Sequence, residues 1–154
     1  MIPKDLLDQA DHLLRLSPRR PKQANLRRAV SASYYAVFHA LCWSNANILA
    51  GTGAGRPERA WLQVYRAVDH GQAKSRCKDA RSKGFPATIQ AYAEAFVTLQ
   101  EQRHRADYSP DRHFTKQESV EFAKLARSAV SAVGSAPIKD RRAFAIHILL
   151  SYRS

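Results

Sequence analysis

A chain of 154 residues is long enough for one domain with a real core and too short for two comfortable ones. With 45% hydrophobic and 25% charged residues it falls among globular proteins rather than intrinsically disordered ones. The 25 Lys+Arg against 13 Asp+Glu give a net charge of +12, which points to an anionic partner: nucleic acid first, with a membrane surface or an acidic protein as alternatives.

The N-terminal stretch MIPKDLLDQADHLLRL is amphipathic and carries acids, with no apolar core of signal-peptide length. It predicts a first helix over about 4–16, ending before SPRRP. No run approaches the ~20 apolar residues that span a bilayer, so a cytoplasmic protein is expected. Cys42 and Cys77 stand apart from any CxxC pattern, which suits two buried, reduced thiols.

A second helix is predicted from about 21 to 50, stopping at Gly51. In AVSASYYAVFHALCW (29–43) apolar, aromatic or small residues cover every face, so this helix should be buried all round. Ala29, Ser33, Ala36 and Ala40 form a small-residue line open to close approach by another helix. Tyr34, Phe38 and Leu41 form a second stripe; Tyr35, His39 and Trp43 form a third. Either a full bundle wraps this helix or one stripe is a dimer interface.

PERAWLQVYRAVDH predicts a third helix, with Pro57 in its first turn, where a missing N–H matters least. The segment KSRCKDARSK (74–83) holds five cations in ten residues and ends at Gly84. On a helix, Lys74, Lys78 and Arg81 share a stripe. With Arg76, they would grip a phosphate backbone; the alternative is a plain solvated face. PRRPKQANLRR (18–28) adds five more cations, Arg27 and Arg28 among them.

A fourth helix is predicted over about 86–108. Ile89, Tyr92, Ala93, Phe96 and Leu99 trace its core stripe at helical spacing, and the same phase continues to Arg103. Arg103 therefore lies along the buried face, where an unpaired guanidinium costs several kcal/mol. It must either pair with Asp107 one turn on or line a wet cleft holding an anion, with His104 and Arg105 as further donors. Thr115 and Glu118 have capping-box spacing and open a fifth helix, TKQESVEFAKLARSAVSAV. In the tail, 137–154, Phe144, Ile146, Ile148, Leu150 and Tyr152 alternate at period two, a strand signal in a segment long enough to be helical. Helix is preferred, given the company it keeps. The domain expectation is a bundle over 1–136 followed by a tail segment, 137–154.

No His/Cys/Asp grouping has metal-ligand spacing, and GTGAG (51–55) lacks the Lys and the preceding strand of a phosphate loop. No metal and no cofactor are expected.

The helix LRRAVSASYYAVFHAL (26–41) resembles the signature helix of the HEPN superfamily, and RHRADYSP (103–110) is similar to the Arg-x-x-x-Asp-Tyr element of one branch of it, in the expected order. The resemblance covers roughly residues 5–133. It implies an all-α, up-and-down bundle of about five helices that dimerises. It also implies RNA or nucleotide binding in a toxin–antitoxin or other defence system, with an antitoxin or a small nucleotidyltransferase as partner. Active members are metal-independent ribonucleases, in which an Arg stabilises charge on phosphorus and a His moves protons. On that pattern Arg103, His104 and Tyr108 are the catalytic candidates, with Tyr108 standing where the histidine is expected. A tyrosine of ordinary pKa is a poor base at pH 7, so binding without cleavage is the leading expectation. His113, in the loop beyond, is a further histidine within reach in sequence. Arg105 joins the cations above as an RNA contact, and Asp107, Ser33, Tyr34, Tyr35 and His39 are the orienting residues. The alternative is a non-catalytic structural or partner-binding module in which Arg103–Asp107 only holds helices together.

Overall fold

A computed structural model describes residues 1–16 and 19–151. Its described residues form an all-helical bundle: α1 (Ile2–Arg15), α2 (Gln23–Ala50), α3 (Glu58–Arg66), α4 (His70–Lys78), α5 (Ala87–Tyr108), α6 (Lys116–Ser135) and α7 (Ile138–Leu149). Seven helices replace the expected five or so. One addition comes from a break the sequence reading missed, and the other from the tail.

The 28-residue α2, about 42 Å long at 1.5 Å per residue, is the central column, and α1, α3, α5, α6 and α7 all pack on it. One chain covers most of α2 but not all of it: the third stripe is left part-open, with Tyr35 and His39 half-buried and Trp43 exposed, so the helix is not buried all round as expected. Ala29, Ser33, Ala36 and Ala40 are all buried, and the Ser33 hydroxyl is satisfied by donating to the Ala29 carbonyl at 2.8 Å. Gly51 ends α2 at φ +93°, a conformation that strains any residue with a side chain.

The main core gathers Tyr34, Tyr92, Phe96 and Phe144, with Tyr34–Phe96 ring centroids 5.6 Å apart and Tyr92–Phe144 6.0 Å. The fully buried Tyr92 hydroxyl donates to the Val37 carbonyl at 2.6 Å, so the core carries no orphan there. On the other flank, Trp61 of α3 stacks edge-on against Trp43 and donates its indole N–H to Asn47 Oδ1 at 2.9 Å.

The third predicted helix divides. After Arg66 the chain turns through Ala67, and Val68 is buried. Asp69 then caps a new helix by accepting from the Gln72 N–H at 2.8 Å. This break makes His70 the first residue of α4 instead of the last of α3. Because α4 ends at Lys78, Arg81 lies beyond it, and the expected helical stripe Lys74–Lys78–Arg81 is not formed.

The capping box at Thr115 and Glu118 is present in both directions. The tail is helical through α7, with Phe144, Ala145 and Ile148 buried and Ile146 and Leu150 exposed. Spacing of one and four residues is one helical face, so packing selects the 3.6 period over the period-two reading. Tyr152 lies outside the described residues. None of the described helices is long and apolar enough to cross a membrane.

Candidate functional site

Arg103 sits where α5 crosses α2 near the start of α4. Its side chain keeps only 13% of its exposure, as the phase of the α5 stripe required. The guanidinium carbon lies 5.0 Å from the Tyr34 ring centroid and 5.7 Å from that of Tyr35, so two aromatic faces share the charge. The Asp107 carboxylate stands 3.6 Å from Nη1, an ion pair too long for a hydrogen bond. Asp107 is held instead by Ser31 of α2, whose hydroxyl donates to it at 2.7 Å. Of the Arg103 donors, only Nε is both sealed from solvent and without a partner. Arg103 is thus framed by aromatic rings and one loosely held carboxylate, and is not locked in a dry pair.

Sequence reasoning missed one neighbour. The half-buried His70 imidazole is stacked on Phe38, with centroids 3.9 Å apart, and its Nδ1 lies 2.5 Å from the Tyr34 hydroxyl oxygen. Its carbonyl accepts from the Gln100 amide of α5 at 3.0 Å. Burial, and after it the Arg103 charge, hold the imidazole below its ordinary pKa, so it is neutral at pH 7. Burial also raises the Tyr34 pKa, keeping that hydroxyl protonated. The only local signal was DHGQ, an Asp–His–Gly step able to start a helix. The long amphipathic pattern before it concealed that start.

The three residues named as catalytic do not converge. Arg103 faces α2, whereas His104 and Tyr108 lie one turn apart on an outer face, rings 4.9 Å apart, with Tyr108 67% exposed. Arg105 is exposed on the same helix end. His113 borders a shallow open depression shared with Gln23, Arg27, Asp107, Tyr108 and Ser109.

The other candidates separate by what they touch. Arg27 is turned inward, donating to the carbonyls of Ala106 at 2.8 Å, of Ser109 at 3.0 Å and of Arg112, so it closes the C-terminal end of α5. Arg28 is exposed. Lys74 pairs with Glu101 at 3.4 Å and Arg81 with Glu94 at 2.6 Å; surface pairs of this kind contribute little to stability. Arg76 donates to the Ser151 hydroxyl at 3.0 Å, and Lys78 is exposed. Among the orienting residues, Ser33 is internal to α2, while His39 Nδ1 meets the Tyr65 hydroxyl of α3 at 2.6 Å. Among the described residues no three His, Cys, Asp or Glu side chains group as metal ligands.

Burial also depresses the pKa of His39. Both histidines therefore resist protonation in the fold and accept it in the unfolded chain. Stability is full above the unfolded value of 6.5 and declines as pH falls below it, toward the depressed folded values. The melting temperature should be level from pH 7 to 8 and drop as pH falls below 6.5. A His39→Gln/His70→Gln pair should flatten that drop. An unchanged acid slope in the double variant would assign the effect to other groups. Glu118, held below the usual carboxylate range by the Arg112 hydrogen bond, acts only in the more acidic window below its ordinary 4.5.

No family model, curated protein or solved structure matches the chain, so the meaning of this site rests on its own geometry.

Proposed function

We propose that the protein is an RNA-binding helical bundle of HEPN type, working as a dimer in a toxin–antitoxin or defence setting, with Arg103 as its central phosphate contact. The observation that carries this reading is the placement of Arg103: a guanidinium backed by Tyr34 and Tyr35, with its nearest carboxylate 3.6 Å away and tied to another helix. Such a group is rigid, and its charge is incompletely answered, which is what recognition of a phosphate oxygen needs. On the outer faces of the same helix end, Arg105 offers a second cation, and the exposed His104–Tyr108 pair offers a flat surface for an unstacked base. The net charge of +12 adds long-range attraction for a polyanion.

The test is a titration of purified protein with labelled single-stranded RNA across a salt series, wild type against Arg103→Ala. Wild-type affinity should fall as salt rises. Arg103→Ala should bind about tenfold more weakly, with a salt slope shallower by about one. If wild-type protein shows no salt-dependent RNA binding, the reading fails. The surviving alternative is then a partner-binding module, for example one docking a nucleotidyltransferase, in which the Arg103–Asp107 pair joins helices.

A further inference from the structure

We infer that the cleft between α7 and the turn after α4 binds a small amphipathic carboxylate, one anionic headgroup on an apolar tail. It is built from residues other than those around Arg103 and stands independently of the RNA-binding reading.

A turn makes the cleft. Gly84, at φ +76°, reverses the chain beyond α4, and the Phe85 N–H donates to the Ala80 carbonyl at 3.3 Å. Phe85 is thereby folded back on α7, with its ring edge-on to Phe144 at 5.5 Å and tilted against His147 at 5.2 Å. The His147 side chain keeps only 9% of its exposure, and its Nε2–H donates to Asp79 Oδ1 at 2.7 Å and to the Arg76 carbonyl at 3.0 Å. Both neighbours are acceptors, so Nε2 carries the proton. On the α7 side stand Ile146 and Leu150, one turn apart and 44% and 63% exposed. Neither belongs to the core. The space between these walls is about 600 Å³, inside the range of ~300 to ~1,000 Å³ typical of small-molecule sites. Phe85 and His147 are held in place before any ligand arrives, so little ordering opposes binding.

Two cations fix the sign of the ligand. Arg76 and Lys83 line the same cleft, and among the described residues neither is paired with a carboxylate, whereas Lys74 and Arg81 are taken by Glu101 and Glu94. Arg76 spends one donor on the Ser151 hydroxyl at 3.0 Å, which leaves most of its fork open. The acid beside them, Asp79, is tied to His147. Two cations against that one carboxylate, with the imidazole left out of the count, leave a single positive charge in excess. A carboxylate carries one negative charge and meets a guanidinium bidentately, whereas a phosphate monoester carries roughly two charges and would be answered incompletely. A polyanion such as RNA would satisfy Arg76 and Lys83 and leave Ile146 and Leu150 in water. An apolar tail removes those two side chains from water.

The experiment titrates the full-length protein with hexanoate, octanoate and decanoate below their micelle concentrations, followed by calorimetry. Decyltrimethylammonium and decanol are the controls. Decanoate should bind saturably at one site, with affinity rising about two- to fourfold per added methylene, fourfold being the value for full burial. The two controls should bind at least about tenfold more weakly. Arg76→Gln should weaken decanoate about tenfold, and Ile146→Asp more than about tenfold at unchanged melting temperature, since residue 146 faces solvent. Lys83→Glu, on an exposed turn, should also weaken it about tenfold and gives an independent reading if Ile146→Asp melts early. Arg103→Ala should leave decanoate affinity within about twofold of wild type, so this inference and the RNA-binding reading fail separately. No saturable decanoate binding below about 1 mM overturns the inference. Equal binding of the three decyl compounds does so too, as does binding unmoved by both Ile146→Asp and Lys83→Glu. A wild-type dimer that Ile146→Asp dissociates, with no decanoate bound, overturns it and gives this face to a second copy of the chain.

Discussion

Phe144→Ala should lower the unfolding free energy by about 3–5 kcal/mol, measured by denaturant or thermal melting. Phe144 is 1% exposed, with its ring edge-on to Phe85 at 5.5 Å and to Tyr92 at 6.0 Å. Removing it takes away the transfer free energy of the ring and leaves a cavity walled by those aromatics, which the surrounding helices cannot fully close. A domain of this size has ~5–15 kcal/mol in all, so the variant would be partly unfolded at moderate temperature. Ile146→Ala, on the exposed side of the same helix, should cost within about 0.5 kcal/mol. The contrast is informative because the tail looks like an appendage in the sequence, whereas the fold places it in the main core. If Phe144→Ala costs no more than Ile146→Ala, α7 is not part of the cooperative unit.

Arg27→Ala should cost about 2–3 kcal/mol of stability, because a guanidinium hydrogen-bonded to the carbonyls of Ala106, Ser109 and Arg112 is replaced by a methyl group. The last carbonyls of a helix have no partner within it, and this fork supplies them from α2. Arg27→Lys should recover little of the loss, since a single ammonium on a flexible stem cannot span three acceptors that the planar fork meets together. The same variant separates structure from binding. At a temperature where Arg27→Ala is folded, its RNA affinity should stay within about twofold of wild type, whereas Arg28→Ala, an exposed cation, should weaken binding and reduce the salt slope by about one. A large affinity loss in folded Arg27→Ala would return Arg27 to the RNA surface.

Much of the bundle was legible in the sequence because the signals were local. The uniform apolar character of 29–43 called for burial on all sides, and the packing of five helices around α2 supplies it except along the Tyr35, His39 and Trp43 stripe, where Trp43 stays exposed. The Thr115–Glu118 box marked its helix start to the residue, since capping depends on only four consecutive positions. The phase of Ile89, Tyr92, Phe96 and Leu99 placed Arg103 on an inner face correctly, for the same reason. Where the readings departed, two local signals competed. Residues 57–70 carry an apolar pattern that runs past its true end, and the buried Val68 with its Asp69 cap interrupts it only because α4 has its own docking site. The period-two pattern of the tail was coincidental, since Ile146 and Leu150 face solvent.

For the candidate site the division is sharper. Helical geometry alone determined that Arg103 would be inward, that Asp107 would be within reach of it, and that His104 would point elsewhere, because a 100° step per residue leaves no other outcome. It could not say what stands opposite. His70 and Tyr34 are 36 residues apart in the chain, and Arg27 and Ala106 are 79 apart. Their meeting depends on how three helices cross, which is set by the summed packing of the core and not by any residue near either partner. Periodicity therefore decided which face each side chain occupies. Only the tertiary structure decided that Arg103 shares Tyr34 with a histidine and that Arg27, read as an RNA contact, closes a helix.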